Sequence, residues 1–179
     1  MFIYIILCVL VTAISIFVAI LVANMNKFKE MNTKISIAED DANQLLQKKL
    51  DLLININECV NKKIKDKEND LSSVIELKAT NLDKFQLNTE LSKYDKTILE
   101  LTDFNKDIEY NDDELEIFDE LADTSIKCLS VEKYYNDNVT KYNSLVKAFP
   151  ASFVAKLKHY KSKVLFTNEK EEIFEILKK

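Results

Sequence analysis

The chain has 179 residues, with 30 acidic against 25 basic side chains, a net charge of −5, no glycine and, since every basic residue is Lys, no arginine. Without Gly there can be no P-loop, dinucleotide-binding turn or nucleophile elbow, because each needs backbone geometry that only Gly adopts readily. Without Arg the bidentate fork that suits phosphates and base edges is missing, and the acidic balance argues further against a nucleic-acid ligand.

Residues 2–23 carry no charge, no Gly and no Pro, and 15 of these 22 are Leu, Ile, Val or Phe. As a helix the segment rises about 33 Å, enough for a hydrocarbon core of about 30 Å, and each such residue favours insertion by roughly 0.3–0.6 kcal/mol. A cleaved signal peptide would have a basic start, a shorter apolar run and a small residue two before the cleavage site, where Leu21 stands. The segment is therefore read as a single transmembrane anchor, residues 1–25, with a helical domain over 26–179. Lys27, Lys29 and Lys34 follow the span and no lysine precedes it. The positive-inside rule then predicts an outside N-terminus and a cytoplasmic C-terminal domain at the cell membrane.

From Ile3 to Phe149 neither Pro nor Gly interrupts the chain, which points to long helices. Apolar residues recur at Met31, Ile35, Ala38, Ala42, Leu45, Leu52, Ile56 and Cys59, with Lys49 the one position out of pattern; Leu46, Leu53, Val60 and Ile64 widen the face. The first helix is predicted to run to about Lys65. A turn follows over 65–70, where Asn69 can stand in for Gly and Asp70 can cap. The second helix carries Leu71, Val74, Ile75, Leu82 and Phe85, slips register, and resumes as Leu87, Leu91, Tyr94, Ile98 and Leu101, so a kink or break is expected within 78–90.

Residues 107–123 hold nine acids and no lysine. A calcium loop would need its central Gly and regular ligand spacing. A loop and helix start fit better, Asn111, Asp112, Asp113 and Glu114 suiting the positive end of the dipole. The third helix then takes in Leu115, Phe118, Ala122, Ile126, Leu129, Tyr135, Val139, Tyr142, Val146 and Phe149, and ends at Pro150. One or two short helices complete the tail, through Phe153, Val154, Leu157 and Tyr160, then Ile173, Phe174, Ile176 and Leu177. If the three long helices alternate in direction, residue 150 lies far from the membrane, and Lys156, Lys158, Lys161 and Lys163 read as a solvated face rather than a lipid contact.

The chemistry-bearing residues are few. Cys8, Cys59 and Cys128 form no Cys-x-x-Cys pair and read as reduced thiols, the latter two on apolar helix faces. His159, the one histidine, cannot furnish the paired Glu-x-x-His motifs of a di-iron bundle. The Asn138-Val139-Thr140 sequon falls mid-helix on the inner side. No catalytic, metal or cofactor residues are expected, and no small-molecule substrate is indicated.

Two stretches together resemble the LemA family. KKLDLLINI at 48–56 resembles its first-helix signature, with Asn26, Ile35 and Ala38 at matching offsets upstream. YYNDNVTKYNSLVKAFPASFVAKL at 134–157 resembles the second, through Tyr135-Asn136, Val139, Tyr142-Asn143, Phe149-Pro150 and Ala155. Between them only Leu115, Phe118 and Leu121 align. The usual Trp after the early Ala is Glu39, a Pro in the first signature is Ile54, and an Arg before Tyr-Asn is Glu132, marking a divergent member; a partner surface built on that Trp and Arg stays open. The resemblance implies a single-pass protein with an antiparallel bundle of about four helices, and no enzyme activity. Asp51 and Asn55, four apart, share a helix face that suits either inter-helix hydrogen bonds or docking of a membrane-associated protein. With the signature residues Tyr135, Asn136, Tyr142, Asn143, Phe149 and Pro150 they form the candidate site. The expected role is a membrane-anchored scaffold or interaction module that meets lipid through residues 2–23; the alternative is a coiled-coil signalling or assembly component that oligomerises at the membrane.

Overall fold

The computed structural model of the chain describes residues 1–63, 73–104 and 110–166, and all side chains among them except those of 96 and 99–104. Of these residues 86% are helical and none is in a strand, so the class is all-α. The helices are α1 (Phe2–Lys63), α2 (Val74–Ala79), α3 (Lys84–Phe104), α4 (Asp112–Lys147) and α5 (Ala151–Leu157). The turn expected at 65–70, Ile64, Leu71, the Leu101 side chain and the tail segment 173–177 lie outside the described residues.

Without glycine, polar side chains start α3 and α4, and a histidine takes the left-handed position after α5. Asp83 caps α3: its Oδ1 accepts the amides of Phe85 and Gln86 at 2.9 Å, and its own amide donates to Gln86 Oε1 at 3.1 Å. Asn111 and Glu114 form the same reciprocal box at the start of α4, each bond 2.9 Å. The expected break thus falls at residues 80–83. At the end of α5, Tyr160 N–H donates to Ala155 O at 2.9 Å and His159 N–H to Lys156 O at 3.3 Å. That is a Schellman close, and its left-handed position, usually Gly, is His159 at φ 54°.

By their contacts the residues form two compact units. One comprises Met1–Ile37 and Tyr135–Leu165. Here the first part of α1 and the last part of α4 run antiparallel, with Phe28 against Tyr142 (ring centroids 5.6 Å apart) and Phe17 against Phe153 (6.3 Å). Phe28, Ile35, Tyr135, Val139, Tyr142, Ala151, Val154 and Ala155 are buried in it. Counting alternating helices puts residue 150 remote from the membrane; the Phe17–Phe153 contact puts α5 beside the apolar span instead. The premise for reading the tail lysines as a remote solvated face therefore fails.

The other unit comprises Ala38–Tyr134 together with Phe166. Its α1 segment buries Ala38, Ala42, Leu46, Leu50, Leu53, Ile56 and Val60, and α3 buries Leu87, Leu91, Tyr94 and Ile98. Lys84 pairs with Glu39 and Lys49 with Asp95, so α3 runs parallel to α1. The α4 segment is antiparallel, Lys63 meeting Glu114 and Lys48 meeting Glu120, both at 2.6 Å. In α4 the expected apolar line is displaced: Leu115 is exposed, Phe118, Ala122, Ile126 and Leu129 are half-buried, and the innermost residues are Leu121, Thr124, Ser125, Cys128 and Glu132. The inward face is partly polar, so apolar periodicity alone misplaces it.

Candidate functional site

Three signature residues of the 134–157 stretch, Tyr135, Tyr142 and Asn143, meet one element, the non-helical strap from Tyr160 to Leu165 that follows α5. Tyr142 is buried among Phe28 and Tyr160, whose rings lie 4.9 Å apart. The next residue of α4, Asn143, holds the strap backbone with both ends of its amide: Nδ2 donates to Lys163 O at 2.9 Å and Oδ1 accepts Lys163 N–H at 2.8 Å. Tyr135 Oη donates to Val164 O at 3.0 Å, and Lys163 Nζ sits 5.8 Å from the Tyr142 ring centroid. Burial, the main influence on both, raises the Tyr135 and Tyr142 hydroxyls above the ordinary phenol range, which keeps them protonated donors at neutral pH. Asn136 is half-buried on the same helix. Phe149 and Pro150, joined by a cis peptide, start the turn into α5, and Phe149 is 81% exposed.

Asp51 and Asn55 are not among these residues. They sit in the second unit, exposed on α1, with Asp51 Oδ1 2.9 Å from Lys78 Nζ on α2. Nearby in that unit an open groove of about 540 Å³ is lined by Asp41, Gln44, Lys48, Lys127 and Ser130.

What the residue pattern missed is a polar seam inside the second unit. Lys49, the position out of pattern on α1, is buried and forms an ion pair with Asp95, both side chains nearly sealed from solvent at 2% and 11% exposure. Asn57, Asn88, Thr124, Ser125 and Glu132 are buried as well. Asn57 Oδ1 accepts from Asn61 Nδ2 at 3.1 Å, while its Nδ2 has no hydrogen-bond partner among the described residues. A lysine on a core stripe signals an acid on a neighbouring one; Asp95, flanked by Leu91, Tyr94 and Ile98 on α3, was the legible match. Lys63 joins unit and cap: it bonds Glu114 and stands 5.1 Å from the Tyr110 ring centroid. Hydrogen bonding from Lys63 first, and from the Asn111 amide second, holds the Glu114 carboxyl below its usual range.

Among the described residues no group of three or more His, Cys, Asp or Glu is placed to hold a metal ion. Cys8 is exposed on the span, Cys59 half-buried and Cys128 buried. The arrangement fastens a strap, seals an ion pair and leaves charged residues on α1 exposed.

Among the described residues one helix, α1, is long and apolar enough at its N-terminal end to cross a membrane. No curated protein matches the chain. The model of the LemA family matches residues 38–176, more than three quarters of the sequence, beginning after the apolar segment and taking in both signature stretches. The chain belongs to the LemA family.

Proposed function

We propose that this protein is a single-pass, membrane-anchored helical scaffold or interaction module that performs no chemistry of its own. Its N-terminus lies outside, and its helical domain, residues 26–179, is cytoplasmic. The observation that carries the reading is the state of residues 2–20: every one is exposed, and none is charged. Full burial of a single Leu, Ile, Val or Phe is worth about 1.5–3 kcal/mol, so a stripe of this length calls for an apolar medium on all sides. Lipid is that medium, and α1 carries the anchor into the helical domain without a break. Although contacts divide the chain at residue 37, the part solvated by lipid is 1–25, because charge begins at Lys27. The lysine bias after the span supports the orientation.

The surface offered to a membrane-associated protein partner is the α1 face bearing Asp51 and Asn55, with Lys78 beside it. Being exposed, the Asp51–Lys78 pair contributes little to stability and is available for re-pairing across an interface. The test is co-purification of the full-length protein from membranes, with and without Asp51→Ala. Expected are retention in the membrane after alkaline extraction, a cytoplasmic signal from a reporter fused to Lys179, and loss of a partner in the variant at unchanged helicity. Alkaline release, an outside reporter, or identical partner recovery across exposed-face variants would each refute the corresponding part. Recovery of only further copies of this chain would favour the oligomeric assembly component.

A further inference from the structure

The span is not the only part of the first unit suited to lipid. Phe149, Phe153 and Leu157 follow one another at intervals of four along the turn into α5, and their exposures are 81%, 50% and 65%. On the opposite side of the same seven-residue helix Ala151, Val154 and Ala155 are buried, so this apolar ridge is the outward face. Its level is set by Phe153, which packs on Phe17, seven residues inside the first polar side chain after the span, Asn24. At 1.5 Å per residue that is about 10 Å below the polar boundary, the depth to which amphipathic interfacial helices sink. The stretch that carries the ridge is basic: between Asp137 and Glu169 the sequence has no acid but has Lys141, Lys147, Lys156, Lys158, Lys161 and Lys163, while from α1 Lys27 and Glu30 line a groove with Lys141 and Ala148.

We propose that the Phe149–Leu157 ridge is a second membrane contact, a monotopic element that dips into the same leaflet surface from which α1 emerges and is held there by lysines facing anionic lipid headgroups. The inference rests on the proposed anchor, since the span fixes where the leaflet lies. Two observations choose lipid over a protein occupant: the ridge is continuous with the apolar span through Phe17, and the lysine excess of residues 138–168 complements an anionic surface. Tyr160, Asn143 and Tyr135 then act as the tether: they draw the chain from the leaflet back along α4, so that α5 is held from both sides, by Pro150 before it and the strap after it.

The chain has no Trp, so single-Trp variants report depth directly. Full-length protein carrying Phe17→Trp, Phe153→Trp, Leu157→Trp or Tyr134→Trp is reconstituted into vesicles of phosphatidylcholine and phosphatidylglycerol with bromine on the acyl chains. Tyr134 is exposed on α4, outside this unit, and serves as the aqueous control. Expected is a loss of emission at 153 and 157 comparable to that at 17, with no loss at 134. A smaller loss at 153 and 157 is expected when phosphatidylglycerol is left out. Quenching at 17 with none at either 153 or 157 overturns the second contact and leaves the anchor standing. Absence of quenching at 17 overturns the anchor, and this inference with it. Circular dichroism of each variant confirms that the fold is intact, and two ridge positions guard against one misfolded substitution.

Discussion

Replacing Lys49 by Met strands Asp95. In the native fold both side chains are almost fully enclosed, Lys49 at 2% and Asp95 at 11% exposure. Removing one partner of a buried pair leaves an uncompensated charge and costs about 3–5 kcal/mol; the slight access of Asp95 to water sets the expectation near the lower end, about 3 kcal/mol. For a chain of this length each kcal/mol shifts Tm by roughly 2–4 °C, so Lys49→Met should melt about 6–12 °C below the parent. The double variant Lys49→Met, Asp95→Leu removes the stranded carboxylate and fills its space with hydrocarbon, and should return to within about 1 kcal/mol of the parent or exceed it. The assay is thermal unfolding of the full-length protein in mild detergent, followed by circular dichroism. Two results would refute the reasoning. A single variant that melts with the parent means that water solvates the pair; a double variant as weak as the single means that packing at position 49, not charge, is what matters.

The helix ends supply further expectations. His159→Gly should stabilise the protein by about 1 kcal/mol, because the left-handed backbone at φ 54° costs any residue with a Cβ, and the gain is read as a raised Tm. Asn111→Ala should cost about 1 kcal/mol by opening the α4 capping box, measured in the same way. Glu114 has a folded pKa below its unfolded value, so its stabilisation is complete above about pH 4.3 and is lost as pH falls through the folded value; the Tm gap between parent and Glu114→Gln should close on acidification. Asn143→Leu frees the backbone of Lys163, and trypsin should then cut at Lys161 and Lys163 faster while helicity is retained.

Much of this fold was written locally in the residues. The apolar run of 2–23, the α1 stripe from Ile35 to Val60, the Asn111 cap and the break before Lys84 each depend on neighbours within a few positions, and each stands where the pattern puts it. Two things were not legible. The inward face of α4 carries Thr124, Ser125 and Glu132, and burial of such side chains is decided by partners on other helices that no single-helix pattern contains. The direction of α3 was likewise hidden. Twenty residues separate Lys63 from Lys84; with α2 helical and the other fourteen at full stretch they could reach roughly 55 Å, whereas the return from Lys63 to the level of Glu39 is about 36 Å of helix. A connection that long permits α3 to run either way, and the pairs Lys84–Glu39 and Lys49–Asp95 are what select the parallel one. In the same unit α4 then comes back along α1, as Lys63–Glu114 and Lys48–Glu120 show, and in the other unit α5 lies beside Phe17.

The candidate site divides along the same line. Lys49, the second basic residue of the first signature, is consumed by the core, and Tyr135, Tyr142 and Asn143 of the second are consumed by the strap. Residues with their hydrogen-bonding capacity committed internally recognise nothing without first unfolding the contact they make, and each such contact is charge-assisted, bidentate or buried. The residues left open are of another kind: Asp51 and Asn55, whose polar ends reach solvent, and Phe149, Phe153 and Leu157, whose apolar surfaces do. The signature stretches thus hold both kinds: Lys49, Tyr135, Tyr142 and Asn143 are engaged within their own units, whereas Asp51, Asn55 and Phe149 of the same stretches stay exposed. The engaged residues keep the strap and the core closed; the exposed ones, polar on α1 and apolar on α5, are those on which the proposed protein and leaflet contacts rest.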